Sequence, residues 1–236
     1  MMKIEVWSDF LCPFCFIGKR KLELAIEELP FLEEVELNFK SFELDPNAPM
    51  YAGVSIDEAI AKKYGVSVEQ AKANNKNIVQ AAKEVGLNFD FENMKPTNSL
   101  DAHRLTKLAK SKGLEDKMVN LLYRAYFEDG ALISDHDVLM DLGLAVGLNQ
   151  EDMMRVLNNQ SEYLQEVRAD ENEASQHGIT SVPYFVFNDK YAVKGAQPIE
   201  LFKKALTDFY AEQQHIKVEE IPGMMCDDTG CEIPKK

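Results

Sequence analysis

Near the N-terminus an apolar strand pattern, a Cys-x-x-Cys pair and an amphipathic helix follow one another directly, and this junction restricts the fold more than any other feature. Lys3 to Ser8 alternates, with Ile4 and Val6 on one face, as a strand does. Cys12-Pro13-Phe14-Cys15 comes next. Pro13 suits the first turn of a helix, because its fixed φ fits there and its missing N–H would have no partner anyway. Leu22, Ala25, Ile26 and Leu29 then form a helical stripe, and Pro30 follows its end. Val35, Leu37 and Phe39 alternate as a second strand, whose apolar phase shifts at Lys40-Ser41, the mark of a bulge or a strand end. The whole is a β-α-β unit with the cysteine pair at the strand-to-helix turn.

From about Pro46 the pattern becomes helical. The segments SIDEAIAKKYG, SVEQAKANNKNIVQAAKEVG and NSLDAHRLTKLAKSKG each end on a glycine stop. MVNLLYRAYFEDG carries Met118, Leu121, Leu122, Ala125 and Tyr126 on one face, and two further helical segments follow. Strand character returns at Val182 to Phe187, with a turn at Asn188-Asp189-Lys190 and a short returning strand at Tyr191 to Val193. A last helix begins after Pro198. The expected organisation is an α/β framework in two parts, residues 1–48 and 160–212, interrupted by an all-helical block at 49–159. A polar, turn-rich tail at 213–236 follows.

Composition removes several functions. A chain of 236 residues with 45% hydrophobic and 28% charged residues is globular and long enough for a full core. A formal net charge of −14 excludes the basic face of a nucleic-acid binder and disfavours an anionic membrane surface. The N-terminal residues carry no basic region ahead of an apolar run, and nowhere do about 18 uncharged apolar residues run together, so a cytoplasmic protein without a membrane span is expected. In that compartment four cysteines point to catalysis, redox sensing or metal binding more than to structural cross-links.

Three roles compete for Cys12 and Cys15. As a redox pair, Cys12 would sit where free backbone N–H groups and the positive helix end favour a thiolate, and Cys15, one turn deeper, would close or resolve a disulfide. A zinc site would need four ligands, which Cys12 and Cys15 together with Cys226 and Cys231 could supply. Against it, the first pair sits in a regular strand-helix junction and nearly the whole chain separates the two pairs. The third role is that of small buried hydrophobes. Asp9 reads as a solvated loop carboxylate or helix-start residue, with a proton acceptor for the thiols as the alternative. Val182-Pro183 suits either the first residues of a strand or a cis X-Pro bond.

CPFC after a first strand, a long helical insertion, and GITSVPYFVFNDKYAVKGAQ ahead of a final helix resemble the DsbA family of thioredoxin-fold oxidoreductases, from Lys3 to Tyr210. SDFLCPFCFIGK, NSLDAHRL, LYRAYFEDG and VPYFVFNDKYAVKGAQ most resemble its FrnE-like branch. The resemblance implies a thioredoxin-like (DsbA-like) fold with a helical lid and a cis-proline loop at Val182-Pro183 that would bind an extended substrate segment. It also implies an apolar groove lined by Trp7, Phe10, Phe14 and Tyr184, with Trp7 equally placed to be core. His103 would approach Cys12 from the lid. A C-x4-C tail, here Cys226 and Cys231, can accompany the active pair as a second dithiol.

The expected activity is thiol–disulfide exchange, with Cys12 as nucleophile and Cys15 as resolving thiol. It needs neither a metal nor an organic cofactor, and its partners are oxidised or misoxidised proteins and glutathione or another thiol. Two other functions share features of the sequence. One is a glutathione-dependent kappa-type isomerase or transferase, which typically has serine where Cys12 stands. The other is a redox-sensing chaperone.

Overall fold

The structure is a computed structural model that describes residues 2–32 and 35–218, together with the backbones of 225–227 and 230–232; for 213–218 it likewise describes the backbone alone. β1 (Met2–Ser8) pairs in parallel with β2 (Val35–Ser41) across the crossover helix α1 (Pro13–Glu27). β3 (Tyr184–Phe187) lies antiparallel on the other edge of β1, and β4 (Tyr191–Lys194) returns beside it, giving the order β2-β1-β3-β4. β2 keeps an unbroken register through Ser41 and ends there, so the shift in apolar phase marks a strand end. Between β2 and β3 the chain inserts α2 (Ile56–Tyr64), α3 (Val68–Lys83), α4 (Leu100–Ser111), α5 (Glu115–Phe127), α6 (His136–Val146), α7 (Gln150–Asn158) and α8 (Leu164–Gln176). α9 (Ile199–Val218) closes the framework against α1. This is a thioredoxin-like α/β fold with a helical insertion.

The boundaries follow local chemistry. Ser55 and Glu58, and likewise Ser67 and Gln70, form reciprocal caps that satisfy the free N–H groups at the starts of α2 and α3. Gly65 and Gly147 take the left-handed conformation that ends α2 and α6, at φ of 67° and 98°. Asn188 and Asp189 both adopt positive φ in the β3–β4 turn. Asn188 also fixes the register, since its side chain accepts the Lys3 N–H at 2.6 Å while its own N–H reaches the Lys3 carbonyl.

Both faces of β1 are covered. Ile4 and Val6 join a core with Phe185, Phe187 and Phe202 that continues into Leu105, Leu122 and Tyr123 of the inserted helices. The opposite face packs Trp7 with Ala174, Ile179 and the partly buried Tyr184 and Val186. Each fully buried large apolar side chain contributes about 1.5–3 kcal/mol, so the shared core binds insert and framework together. A buried ionic clip reinforces the joint. Lys107 of α4 meets the Asp170 carboxylate of α8 and the Phe39 carbonyl of β2. Asp170 also accepts the Ser41 N–H at 2.7 Å.

Cys226 and Cys231 stand opposite each other in the register of a two-stranded ladder, β5 (Met225–Asp227) with β6 (Gly230–Glu232). Their side chains, and hence the expected dithiol chemistry of the tail, lie outside the described residues.

Candidate active site

The site forms where β1 ends and α1 begins. Cys12 is the N-cap of α1, with extended backbone (φ −95°, ψ 111°) and Pro13 directly after it. Its N–H bonds the Asp9 carbonyl at 3.1 Å, and its carbonyl accepts the Cys15 N–H at 3.0 Å, which fixes both cysteines on one tight turn. The Cys12 Sγ lies 3.8 Å from the Val182 carbonyl oxygen, a thiol-to-carbonyl contact across the whole fold. The Val182-Pro183 peptide is cis. Gly195 N–H holds the Pro183 carbonyl at 2.8 Å and ties this loop to the end of β4.

Cys12 and Cys15 are both free thiols, and both are buried. Burial, and then the neighbouring Cys12 thiol, push the Cys15 thiol well above its ordinary pKa. Cys15 is therefore protonated at neutral pH.

Asp9 departs most from the sequence expectation. It is not solvated at all, with 0% exposure. One carboxylate oxygen accepts the Leu11 N–H at 3.1 Å and the other the Leu44 N–H at 2.7 Å, so the side chain joins the loop ahead of Cys12 to the segment leaving β2. Burial alone would raise its pKa. His103 and the N–H groups of Leu44 and Leu11 outweigh burial and hold the carboxyl below the usual range. His103 Nε2 is 3.7 Å from Asp9 Oδ1, so the inserted block reaches the site through Asp9. The resemblance implied an approach to Cys12, whose N–H bonds the Asp9 carbonyl.

The aromatic residues expected in the groove separate into two groups. Trp7, 1% exposed, is core: its indole N–H donates to the Asp170 carbonyl at 3.1 Å, and its ring packs on the far face of the sheet. A side chain on β1 cannot line an open groove when helices cover both faces of that strand. Phe10, 3% exposed, is core too, wedged between the rings of His103 (4.7 Å) and Tyr123 (5.3 Å). Phe14 is 47% exposed, directly between the two cysteines, and Tyr184 is half-buried beside the cis peptide. Leu44, whose N–H bonds Asp9, is an exposed apolar side chain as well.

Three further residues were not read from the sequence. Gly18 sits inside α1 where an added Cβ would lie 3.0 Å from Pro183 and 3.2 Å from Phe185; an isolated glycine within a helical stripe was the available signal. Tyr123 stacks on Phe16 at 4.9 Å, and its hydroxyl is buried without a hydrogen-bond partner among the described residues. Glu43 is buried, and burial raises its pKa even though Arg168 bonds it at 2.5 Å. Nothing in the sequence distinguishes either of these two from many residues of the same type. Among the described residues no group of three or more His, Cys, Asp or Glu converges as a metal site, and no helix is long and apolar enough to cross a membrane.

The chain is similar to known proteins. The family model described as a DSBA-like thioredoxin domain matches residues 3–207. The crystal structure of a probable DsbA oxidoreductase from Streptomyces coelicolor is 36% identical, with each chain covered over 100% of its length and a TM-score of 0.85. The uncharacterised Bacillus subtilis protein YwbO is 27% identical over 206 residues, which are 87% of this chain and 96% of its own. The cytosolic disulfide reductase DsbM of Pseudomonas aeruginosa has the same fold, with a TM-score of 0.61 at 15% identity over 89% of this chain and 99% of its own. The chain belongs to the DSBA-like thioredoxin domain family.

Proposed function

We propose that the protein is a cytoplasmic thiol–disulfide oxidoreductase or isomerase of the FrnE-like branch, acting on protein or small-thiol disulfides through Cys12 and Cys15. The observation that carries this proposal is the Cys12 Sγ at the head of α1, 3.8 Å from the Val182 carbonyl, with the Cys15 thiol buried behind it. Cys12, as thiolate, attacks a substrate disulfide and releases one substrate sulfur as a thiolate. Cys15 then attacks Cys12 Sγ, closing the 12–15 disulfide and releasing the second substrate sulfur. Run backwards, the same steps donate a disulfide.

An extended substrate segment lies along Val182 as an added strand, and Phe14, Tyr184 and Leu44 supply its apolar surroundings. Misoxidised proteins and glutathione fit such a surface, and the exchange uses no metal or organic cofactor. Cys226 and Cys231, opposite each other in the β5–β6 register, act as a second dithiol.

The test is a redox titration in graded glutathione buffers, with alkylation and mass-spectrometric mapping of the paired cysteines. A 12–15 disulfide poised at about −180 mV or above marks an oxidase or isomerase, and one at about −270 mV marks a reductase. If Cys12 and Cys15 never pair, the proposal fails. Holdase activity that survives Cys12→Ser with Cys15→Ser, and no disulfide turnover in the native protein, would point to the chaperone instead.

A further inference from the structure

We infer that the chain pairs with a second copy of itself, with α3 of each copy lying antiparallel on α6 of the other. This goes beyond the thiol chemistry and does not depend on it. It concerns two helix faces of the insert that the described residues leave open to solvent.

The first face belongs to α6. Of its residues only His136, Asp137 and Asp141 are polar, yet only Leu139 and Gly143 are buried. A helix that is apolar nearly all round is normally covered on most of its surface. The inner side of α6 packs on α4, α5 and α7. Its outer side carries Asp137, Asp141, Leu144 and Ala145, which follow one another at helical spacing along a single stripe. All four are exposed, Leu144 at 46%. The second face belongs to the α2–α3 hairpin. Within these two helices only Ala61, Ala71, Asn75 and Ala82 are buried, and the Asn75 side chain donates to Asp57 at 2.6 Å to hold α2 on α3. Val68, Lys72 and Lys76 stand four residues apart on an exposed stripe of α3, and Tyr64, at the end of α2, is 68% exposed. The hairpin sets Lys62, Lys63, Lys72, Lys76 and Lys83 against Asp57, Glu58 and Glu69, a local positive excess in a chain of net charge −14.

The two stripes are complementary position by position. With the helices antiparallel, Val68 meets Leu144 and Ala145, Lys72 meets Asp141, and Lys76 meets Asp137, because both sets repeat every four residues. Among the described residues none of these four charged side chains has an ion-pair partner. Each helix also places like charges four residues apart, a spacing that disfavours it in isolation and that the opposite charges of the other helix relieve.

The faces also adjoin within one molecule. The hydroxyl of Ser134, directly ahead of the α6 cap Asp135, bonds the Met50 carbonyl, and the Ala52 N–H reaches the Pro96 carbonyl. The segment that leads into α2 is thereby pinned beside the start of α6. Met50, Tyr51 and Val54 of that segment are exposed apolar side chains. A two-fold axis beside them sets each hairpin on the α6 of the other copy and forms both contacts at once. The association then closes at two copies and does not extend into a filament.

Analytical ultracentrifugation of the full reduced chain tests this, at about 0.05 M salt, where charges are weakly screened. The mass of the native chain should rise to twice the monomer value across the micromolar range. Lys72→Glu with Lys76→Glu, and separately Asp137→Lys with Asp141→Lys, should each raise the dissociation constant at least about 10-fold, since each sets like charges against each other across the contact. Mixed in equal amounts, the two variants should form a heterodimer within about threefold of native affinity, because each contact again joins opposite charges. That recovery separates a lost interface from a damaged fold. A native chain that stays monomeric at every concentration overturns the inference, as does a dimer that neither reversal weakens. So does a weakening in both variants without recovery on mixing. A monomer whose hairpin lysines bind vesicles containing phosphatidylserine would assign that face to a lipid surface and overturn it as well.

Discussion

Replacing Gly18 by alanine sets two effects of opposite sign against each other at the centre of the site. Within a helix alanine is favoured over glycine by about 1 kcal/mol, so helix propensity alone predicts a more stable protein. The structure predicts otherwise. The new Cβ would lie 3.0 Å from Pro183 Cγ, 3.2 Å from Phe185 Cζ and 3.4 Å from the Ala196 Cα, whereas carbon atoms pack best at about 3.5–4.0 Å. Neither close neighbour yields freely. Phe185 is fully buried, edge-on to Phe202 at 5.0 Å, and the Pro183 carbonyl is held by Gly195. Overpacking of this kind costs about 1–3 kcal/mol, so the net change is a loss of up to about 2 kcal/mol. The relief available is for the loop to back away from α1, which lengthens the 3.8 Å contact between Cys12 and the Val182 carbonyl. Urea unfolding of the reduced protein gives the stability, and the rate of exchange with a disulfide-linked peptide gives the site. A variant more stable by about 1 kcal/mol with unchanged exchange would show that Gly18 is no spacer and that the loop position is set elsewhere.

Other perturbations test the remaining contacts. Lys107→Met leaves the buried Asp170 with Lys40 at 3.8 Å and the Ser41 N–H, and should cost about 3 kcal/mol in urea unfolding; a loss below about 0.5 kcal/mol would mean that the clip does not join insert to sheet. The Asp9 pKa is lowered by folding, so as the pH falls the unfolded chain takes up the proton first, and the stability from this group is present above about pH 4 and lost below it. Asp9→Asn should therefore be less stable near neutral pH and lose less on acidification below about pH 4, as followed by thermal unfolding; parallel acid profiles for the two proteins would contradict the depressed pKa. Trp7 is the sole tryptophan of the chain. Its emission should be short in wavelength, resist acrylamide quenching and ignore bound peptide, and a peptide-induced shift would return it to the groove.

The β-α-β unit, the inserted helices and the CPFC turn were legible because each rests on local chemistry: period-2 or helical spacing, capping residues, glycine stops and a proline at a helix start. α8 was not. Its sequence LQEVRADENEASQ buries only Val167, Asp170 and Ala174, and one of those three is charged. No apolar stripe announces a helix whose inner face carries an ion pair in place of a hydrophobic contact. Of the aromatic residues near CPFC, Phe10 was assigned to the wrong surface and Trp7 could be read either way, for a related reason. Alternation states that Trp7 and Val6 point to opposite faces, but not that both faces are covered.

By itself, then, the sequence determined the order of elements, the cysteine pair at the head of α1 and the segment that carries Pro183, since these depend on residues within a few positions of one another. Only the tertiary structure decided that Val182 meets Cys12 across 170 positions, that Gly18 gives Pro183 room, and that Asp9 is a buried charge held by His103. Burial and long-range partners set the ionisation of a group, and neither is encoded in a residue's neighbours along the chain.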